Sequence, residues 1–415
     1  MDDSFAALGV LPYFSARLGD RNIYKPTDIQ RKVIPELGAG RSLIFRSATG
    51  TGKTFAYLIP LMQRLFAGGP GGGEGNVAAA GNRGPALLVL SPTYELCAQI
   101  RGEAEFLLGR GGPDRDGPPI FQASGVGLLT GSGNLSRQID GLKKDRPLIA
   151  VGNPGRILLL VKMGKLKLDA LRALVFDEGD RLAAEDLRKE TMELGGLIAG
   201  ALRRRDPAGS PGLLCAACSA TMSAGDRESL LSLAGPDVGF VETGEQEILR
   251  EQIQHWAVWS EDRRKVQTLR SFLAAVRPQK TLVFAGRSWD VRKILPQLLR
   301  LPAAALYGGM DKISRRNAAA AFRSGKVTIL VSSDLAARGL DIPGISHVIA
   351  LDVPQDEETY IHRAGRTGRA GKRGIMVSIG DGEEMRRLAR LEKRLGLTVY
   401  PKELRQGRIS APAGE

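Results

Sequence analysis

Residues 42–66 read SLIFRSATGTGKTFAYLIPLMQRLF. A short apolar run leads into a glycine-containing loop, and a longer apolar-rich run follows: strand, loop, helix. The loop SATGTGKT, 47–54, fits a phosphate-binding P-loop, with Ser47 where the general pattern opens on Gly. A small residue there still allows the turn. Backbone N–H groups of Thr49, Gly50, Thr51 and Gly52 can wrap a phosphate, and the helix N-terminus adds positive potential. Lys53 is the point charge for β and γ phosphates, and the Thr54 hydroxyl is a ligand for Mg2+.

Such a loop needs a carboxylate on a neighbouring strand. ALVFDEGD, 173–180, supplies it, because four apolar or small residues end in Asp177. That places a carboxylate at the carboxyl end of a buried strand, where ligands sit in open α/β sheets. Asp177 is expected to hold Mg2+ and Glu178 to orient or deprotonate the attacking water.

The same texture runs along the chain. Ala86–Leu90, Pro147–Gly152, Ala173–Asp177 and Leu213–Thr221 read as buried strands, and Thr281–Gly286, Thr328–Asp334 and His347–Asp352 repeat the pattern. Helix-like segments separate them, so the chain reads as α/β, two tandem domains with mostly parallel sheets. The predicted limits are 1–244, a linker at 245–250, 251–400 and a short tail at 401–415. Gly68–Pro85 and Gly109–Pro119 are too rich in Gly and Pro to bury a core and read as surface loops.

A length of 415 residues suits two domains, and 43% hydrophobic with 25% charged residues excludes a wholly disordered chain. Lys and Arg number 59 against 45 Asp and Glu, and 59 − 45 leaves +14, which suits a polyanionic partner such as nucleic acid. Three cysteines make no disulfide scaffold. The acidic start MDDSFAALGV is no secretory signal, and no apolar run spans a membrane. A soluble, cytoplasmic monomer with no membrane association is expected.

With these residues in place the chain resembles the DEAD-box ATP-dependent RNA helicases of superfamily 2, from about Phe5 to about Gly374, and the resemblance implies that both α/β domains are RecA-like. KPTDIQ, 25–30, resembles the family's adenine-reading motif. The resemblance implies that Gln30 reads the adenine edge and Phe5 packs against the base, while Ile23 and Tyr24 stand near the place of a further aromatic. SPTYELCAQ at 91–99, TGSG at 130–133 and NPGR at 153–156 resemble motifs that touch the nucleic-acid backbone. They bring Pro92, Thr93, Glu95, Gly131, Pro154, Gly155 and Arg156 to RNA. Tyr94 replaces an Arg, Ser132 a Gly and Asn153 a Thr. The name-giving tetrad is Asp177-Glu178-Gly179-Asp180, and Gly179 makes its backbone more permissive. Ser219-Ala220-Thr221 resembles the motif that couples nucleotide state to domain closure, with Ser219 and Thr221 bonding the Asp180 region.

In the second half, LVFAGRS at 282–288 implies an RNA contact by Arg287. YGGMDKISR at 307–315 implies one by Arg315, with Tyr307 and Lys312 in place of His and Gln. SDLAARGLD, 333–341, implies an RNA contact from Ser333, coupling by Arg338 and ribose contacts near Gly339 and Asp341. HRAGRTGR, 362–369, matches in full. The resemblance implies that His362 couples and that Arg366 and Arg369 would reach the γ-phosphate once the domains close. On that reading closure would link ATP and RNA binding, and hydrolysis would reopen a clamp that separates a short duplex locally. Backbone and 2′-OH contacts give RNA preference with little sequence reading. A protein partner is expected to direct the chain to its substrate.

Several features read as structural. Cys215 and Cys218 lie in an apolar run and lack further zinc ligands. His255 and His347 have no metal-like neighbours, Arg203–Arg205 reads as a solvated face, and Met385–Gly396 as an amphipathic helix packed on the second domain. An ATP-driven RNA clamp that barely unwinds, a non-catalytic RNA-binding scaffold and a DNA-directed enzyme are the competing functions.

Overall fold

The computed structural model describes residues 4–47, 51–66, 84–109, 125–205, 213–219, 225, 228, 238–243, 249, 251–286, 288–298, 300–337, 342, 344–368, 372–405 and 407–412. The chain divides into two compact units after Thr243.

The first unit begins with helices α1 (Pro12–Gly19) and α2 (Asp28–Gly38), followed by strand β1 (Ser42–Arg46) and α3 (Lys53–Phe66). Next come β2 (Leu87–Leu90), α4 (Tyr94–Leu107), β3 (Val126–Leu129), α5 (Leu135–Asp145), β4 (Ile149–Gly152) and α6 (Pro154–Lys162). β5 (Ala173–Asp177), α7 (Gly179–Ala183), α8 (Glu185–Arg205), β6 (Leu214–Ser219) and β7 (Val238–Glu242) complete it. The described strands form a seven-stranded sheet in the order β3-β4-β2-β5-β6-β1-β7. All its ladders are parallel. Its central strands β2, β4 and β5 are buried along their whole length because both faces are covered, while edge strand β7 is partly exposed. One face packs Phe14, Val33, Leu61 and Leu107 from α1 to α4 against Val89 and Val175. The other packs Ile157, Leu160, Leu182, Leu194 and Ile198 from α6, α7 and α8 against Leu88 and Leu174.

The second unit holds β8 (Ile253–Trp259), α9 (Lys265–Val276), β9 (Thr281–Phe284), α10 (Ser288–Ile294), β10 (Ala303–Leu306) and α11 (Lys312–Arg323). It continues through β11 (Ile329–Ser332), α12 (Asp334–Ala337), β12 (His347–Ala350), α13 (Glu357–Ala364), β13 (Gly374–Gly380) and α14 (Gly382–Leu395). Three of its helices start where an acidic side chain caps them. Asp311 accepts from Ile313 N and Ser314 N, and Asp356 from Thr359 N. α14 opens on an Asp381–Glu384 capping box and stops at left-handed Gly396, with Leu388, Leu391 and Leu395 buried as its amphipathic reading predicts.

The composition of 401–415 predicts a short tail, yet Val399–Arg405 is strand β14, parallel to β8 with Val399 opposite His255. β15 (Arg408–Ser410) turns back antiparallel, giving the order β10-β11-β9-β12-β13-β8-β14-β15. Pro401 and the charges of 402–405 mask the strand signal, and ladder bonds to β8 override it. The two expected surface loops fall almost entirely outside the described residues. Arg203 and Arg204 are exposed at the end of α8.

Both histidines singled out above are buried. His255 lies between the Tyr360 hydroxyl and the Leu249 carbonyl, each at 2.8 Å. Burial pushes His347 down to about 4, and its Nδ1 meets Ser346 Oγ at 3.0 Å. Between 6.5 and about 4 the unfolded chain binds a proton that folded His347 refuses, so its contribution is complete above that window and lost as pH falls through it. His347→Gln is expected to flatten the fall of unfolding free energy in that window, measured by urea titrations at stepped pH.

Candidate functional site

A parallel sheet sends every strand's carboxyl end to one edge, and the quoted motifs occupy the loops there. In sheet order, TGSG follows β3, NPGR follows β4 and SPTYE follows β2. The Asp177 tetrad follows β5, Ser219 ends β6 and the phosphate loop follows β1. The nucleic-acid motifs thus share three adjacent strands, and the nucleotide motifs the next three.

The phosphate loop is locked to α2. Thr27 and Gln30 form a capping box, in which Thr27 N donates to Gln30 Oε1 at 3.0 Å. Gln30 Nε2 then donates to the Gly52 carbonyl at 3.1 Å, and Thr27 Oγ1 to the Thr51 carbonyl at 2.7 Å. Buried Gln30 therefore holds the loop, and its amide keeps one further N–H and one further lone pair for a base. Gly52 has φ +87°, and a Cβ there would stand 2.4 Å from Gln30 Nε2. Ser47 fits its atypical place through its hydroxyl, which bonds Thr51 Oγ1 at 2.8 Å and accepts from Thr243 Oγ1 at 2.9 Å. Lys53 Nζ donates to the Ser47 carbonyl.

Phe5 is 3% exposed and packs in the core, so its ring offers no open face to a base, against the expectation. Ile23 also packs inward, whereas Tyr24 is 67% exposed beside the Thr27–Gln30 turn.

Asp177 ends β5 with its carboxylate almost fully buried. Oδ2 accepts from the Tyr57 hydroxyl at 2.8 Å and Oδ1 from Cys218 Sγ at 3.2 Å. Burial, reinforced by the Asp177 charge, drives the Tyr57 phenol and the Cys218 thiol well above their ordinary ranges. Asp177 and Thr54 are hard oxygen donors of the kind Mg2+ takes. Glu178 has left-handed backbone at φ 55°, a strained state for a residue with a side chain, while Gly179 opens α7. Asp180 is buried and accepts from Arg181 N at 2.8 Å. Cys215 and Cys218 lie an odd number of residues apart, pack on opposite faces of the sheet and are free thiols.

On the other half of the edge, three helix N-termini follow the motifs. Thr93 caps α4 through Leu96 N, Asn134 caps α5 through Arg137 N, and Pro154 opens α6. Asn153 Nδ2 donates to the Ser91 carbonyl at 2.8 Å and ties two motifs together. Arg156 spends its guanidinium on the Gly131 and Gly133 carbonyls, at 3.1 and 3.2 Å, and on Gln138 Oε1 at 2.8 Å. It braces the turn it is expected to share with RNA. Tyr94 is 46% exposed, and Pro92 and Glu95 lie partly open beside it.

In the second unit Arg315 donates to the Ala336 carbonyl at 3.0 Å, Ser333 is buried after β11, and Tyr307 lies under Arg292 at 5.4 Å. His362 is in the last turn of α13, and Arg366, 6% exposed, follows it. Arg363, which no motif role singles out, is 2% exposed and forks onto Asp334 at 2.7 and 2.6 Å and onto Asp352 at 3.0 Å. Burial opposes its charge, but the two carboxylates prevail and raise its pKa. Its signal in sequence is the pairing of one Arg with strand-end Asp residues, which only folding reveals. Thr49, Gly50, Thr221, Arg287, Arg338, Gly339, Asp341 and Arg369 lie outside the described residues.

Gly52→Ala is expected to cost about 1–3 kcal/mol through backbone strain and a broken Gln30 contact. Gly131→Ala, with open space around its Cβ position, is expected to leave the thermal midpoint in place. Differential scanning calorimetry of the two variants separates these outcomes.

Residues 27–229 match the DEAD/DEAH box helicase family model, and residues 264–371 the helicase conserved C-terminal domain. The chain is 33% identical over 385 residues to the DEAD-box ATP-dependent RNA helicase CshC of Bacillus cereus, covering 92% of this chain and 88% of that one. It is 32% identical over 378 residues to the probable ATP-dependent RNA helicase YfmL of Bacillus subtilis, covering 90% of each. Its fold matches S. cerevisiae Dbp5 bound to RNA and ADP BeF3, with a TM-score of 0.78, 22% identity and 96% of each chain covered. Two domain models in tandem and relatives similar along nearly the whole length lead to one conclusion: the chain belongs to the DEAD-box ATP-dependent RNA helicase family.

Proposed function

We propose that the protein is an ATP-dependent RNA helicase, hydrolysing ATP in response to RNA and separating short duplexes or remodelling RNA–protein complexes. One observation carries the reading: nucleotide motifs and nucleic-acid motifs occupy the two halves of one sheet edge, joined where β2 meets β5. Binding on one half can then bias the loops of the other.

Lys53 and the backbone of the phosphate loop hold the β and γ phosphates, and Gln30 and Tyr24 are the adenine-side residues. Thr54 and Asp177 hold Mg2+, which supplies charge neutralisation on the phosphate oxygens. Glu178 is the group for the attacking water, and its left-handed backbone sets the direction of its side chain. Asp180, Ser219, Thr221, Arg338 and His362 couple nucleotide state to closure, and Arg366 and Arg369 are the cations for the γ-phosphate. Gly339 and Asp341 take the ribose. Pro92, Thr93, Glu95, Gly131, Pro154, Gly155, Arg287, Arg315 and Ser333 contact RNA through backbone phosphates and 2′-OH groups, with Arg156 shaping the Gly131 turn. Domains at 1–244 and 251–400, a cytoplasmic site of action, a monomeric state and a targeting partner complete the proposal. Among the described residues no helix is long and apolar enough to cross a membrane.

An RNA clamp that hydrolyses but barely unwinds is the second reading. The inward commitment of Arg156 and the exposed Tyr94 in place of a guanidinium favour it, since both reduce the cationic grip on phosphate.

Steady-state ATPase assays with and without single-stranded RNA test the activity. RNA is expected to stimulate hydrolysis by wild type, and Lys53→Ala and Glu178→Gln are each expected to lower it by about two orders of magnitude or more. Strand displacement alongside hydrolysis selects the helicase, and stimulated hydrolysis without it selects the clamp. Hydrolysis indifferent to RNA, or stimulated equally by DNA, counts against both.

A further inference from the structure

Under the two residues assigned to Mg2+ lies a tyrosine that no motif includes. Tyr57 is fully buried in α3, one turn after Thr54. We propose that Tyr57 is a positioning residue, which together with Cys218 fixes the plane of the Asp177 carboxylate for a hydrated divalent cation. This inference rests on the reading of Thr54 and Asp177 as the metal side of the site.

The direction of each bond follows from proton counting. A phenol has one proton, and Tyr57 spends it on Asp177 Oδ2 at 2.8 Å.

Asp177 Oδ2 takes Tyr57 and Oδ1 takes Cys218 Sγ at 3.2 Å, so each oxygen accepts one neutral donor from within the unit and keeps a lone pair. Two donors on two oxygens fix both the position and the rotation of the carboxylate. Both donors are neutral, so they orient the carboxylate while its charge stays available to a cation. Outer-shell partners of this kind tune the affinity of the residues they hold.

The packing gives these residues their special value. Cys218 sits opposite Asp177 in the β5–β6 ladder, and Tyr57 reaches the same carboxylate from α3. One phenol oxygen thus connects the helix of the phosphate loop to the strand of the carboxylate. A phenylalanine at 57 would fill nearly the same space and lack that connection.

The test is ADP affinity of the full chain, read by fluorescence titration of a labelled ADP in excess Mg2+ and again in EDTA. The quantity of interest is the ratio of the two affinities. Wild type is expected to bind more tightly with Mg2+. Tyr57→Phe is expected to lose about tenfold of that ratio with its EDTA affinity intact, and Cys218→Ala to lose a smaller part. An unchanged ratio in Tyr57→Phe overturns the positioning role. Equal weakening with and without Mg2+ also overturns it, because that is the signature of disturbed packing. If Tyr57→Phe does not fold, Cys218→Ala decides by the same criterion. A wild-type ratio of one would remove the metal reading itself, a failure distinct from that of the tyrosine.

Discussion

A parallel β-ladder requires each strand to be followed by a crossover that returns the chain to the opposite edge before the next strand begins. The seven described strands of the first sheet all obey it. Their carboxyl ends therefore lie together, and segments as distant in sequence as Ser47 and Ser219 become neighbours, with Ser47 N donating to the Ser219 carbonyl at 3.1 Å. Helices on both faces leave this edge as the place where the backbone is free to address a ligand. Each helix that leaves it points its unpaired N–H groups the same way, toward anions. Phosphate chemistry on this fold follows from ladder direction first and from side-chain identity second.

The loops of that edge are then fixed by polar side chains that reach across it. Gln30 joins α2 to Gly52, Asn153 joins β4 to Ser91, and Arg156 joins α6 to Gly131. In the second unit Arg363 does the same for Asp334 and Asp352, with Phe284 under its guanidinium at 5.2 Å. Each is a buried or half-buried donor that finds acceptors in a neighbouring loop. Such contacts add little net energy when made, about 1 kcal/mol for a neutral pair, and cost more when one partner is removed. Their main effect is on specificity of placement, since a loop held by two hydrogen bonds has few alternatives.

Much of this was legible in the sequence. The apolar runs Ala173–Asp177 and Leu213–Thr221 mark buried strands, and β5 spans Ala173–Asp177 as read while β6 ends two residues short of its run, at Ser219. The phosphate loop is readable because its chemistry is local, with loop and helix contiguous. Gln30 and Arg156 were less legible, because a motif position names a residue and leaves its direction open, and here both turn toward the protein. Phe5 illustrates the same limit, since an aromatic side chain satisfies a core as readily as a base. Strand β14 was missed because Pro and charge dominate its composition, whereas its stability comes from backbone pairing with a distant strand. Arg363 could not be singled out, since its value depends on two carboxylates 29 and 11 residues away.

The pairing of β8 has a consequence for the order in which the second unit assembles. His255 of β8 lies opposite Met376 on one side and Val399 on the other, separations of 121 and 144 residues (376 − 255 and 399 − 255). The first strand of the unit to leave the ribosome is thus the last to receive its neighbours. Until then its IQHWAVW segment, with two tryptophans and both ladder edges unpaired, is the part of the nascent chain most open to wrong strand pairing. Once in place, β14 and the three-residue β15 convert that vulnerable strand into an interior one, with a short, charged edge outermost.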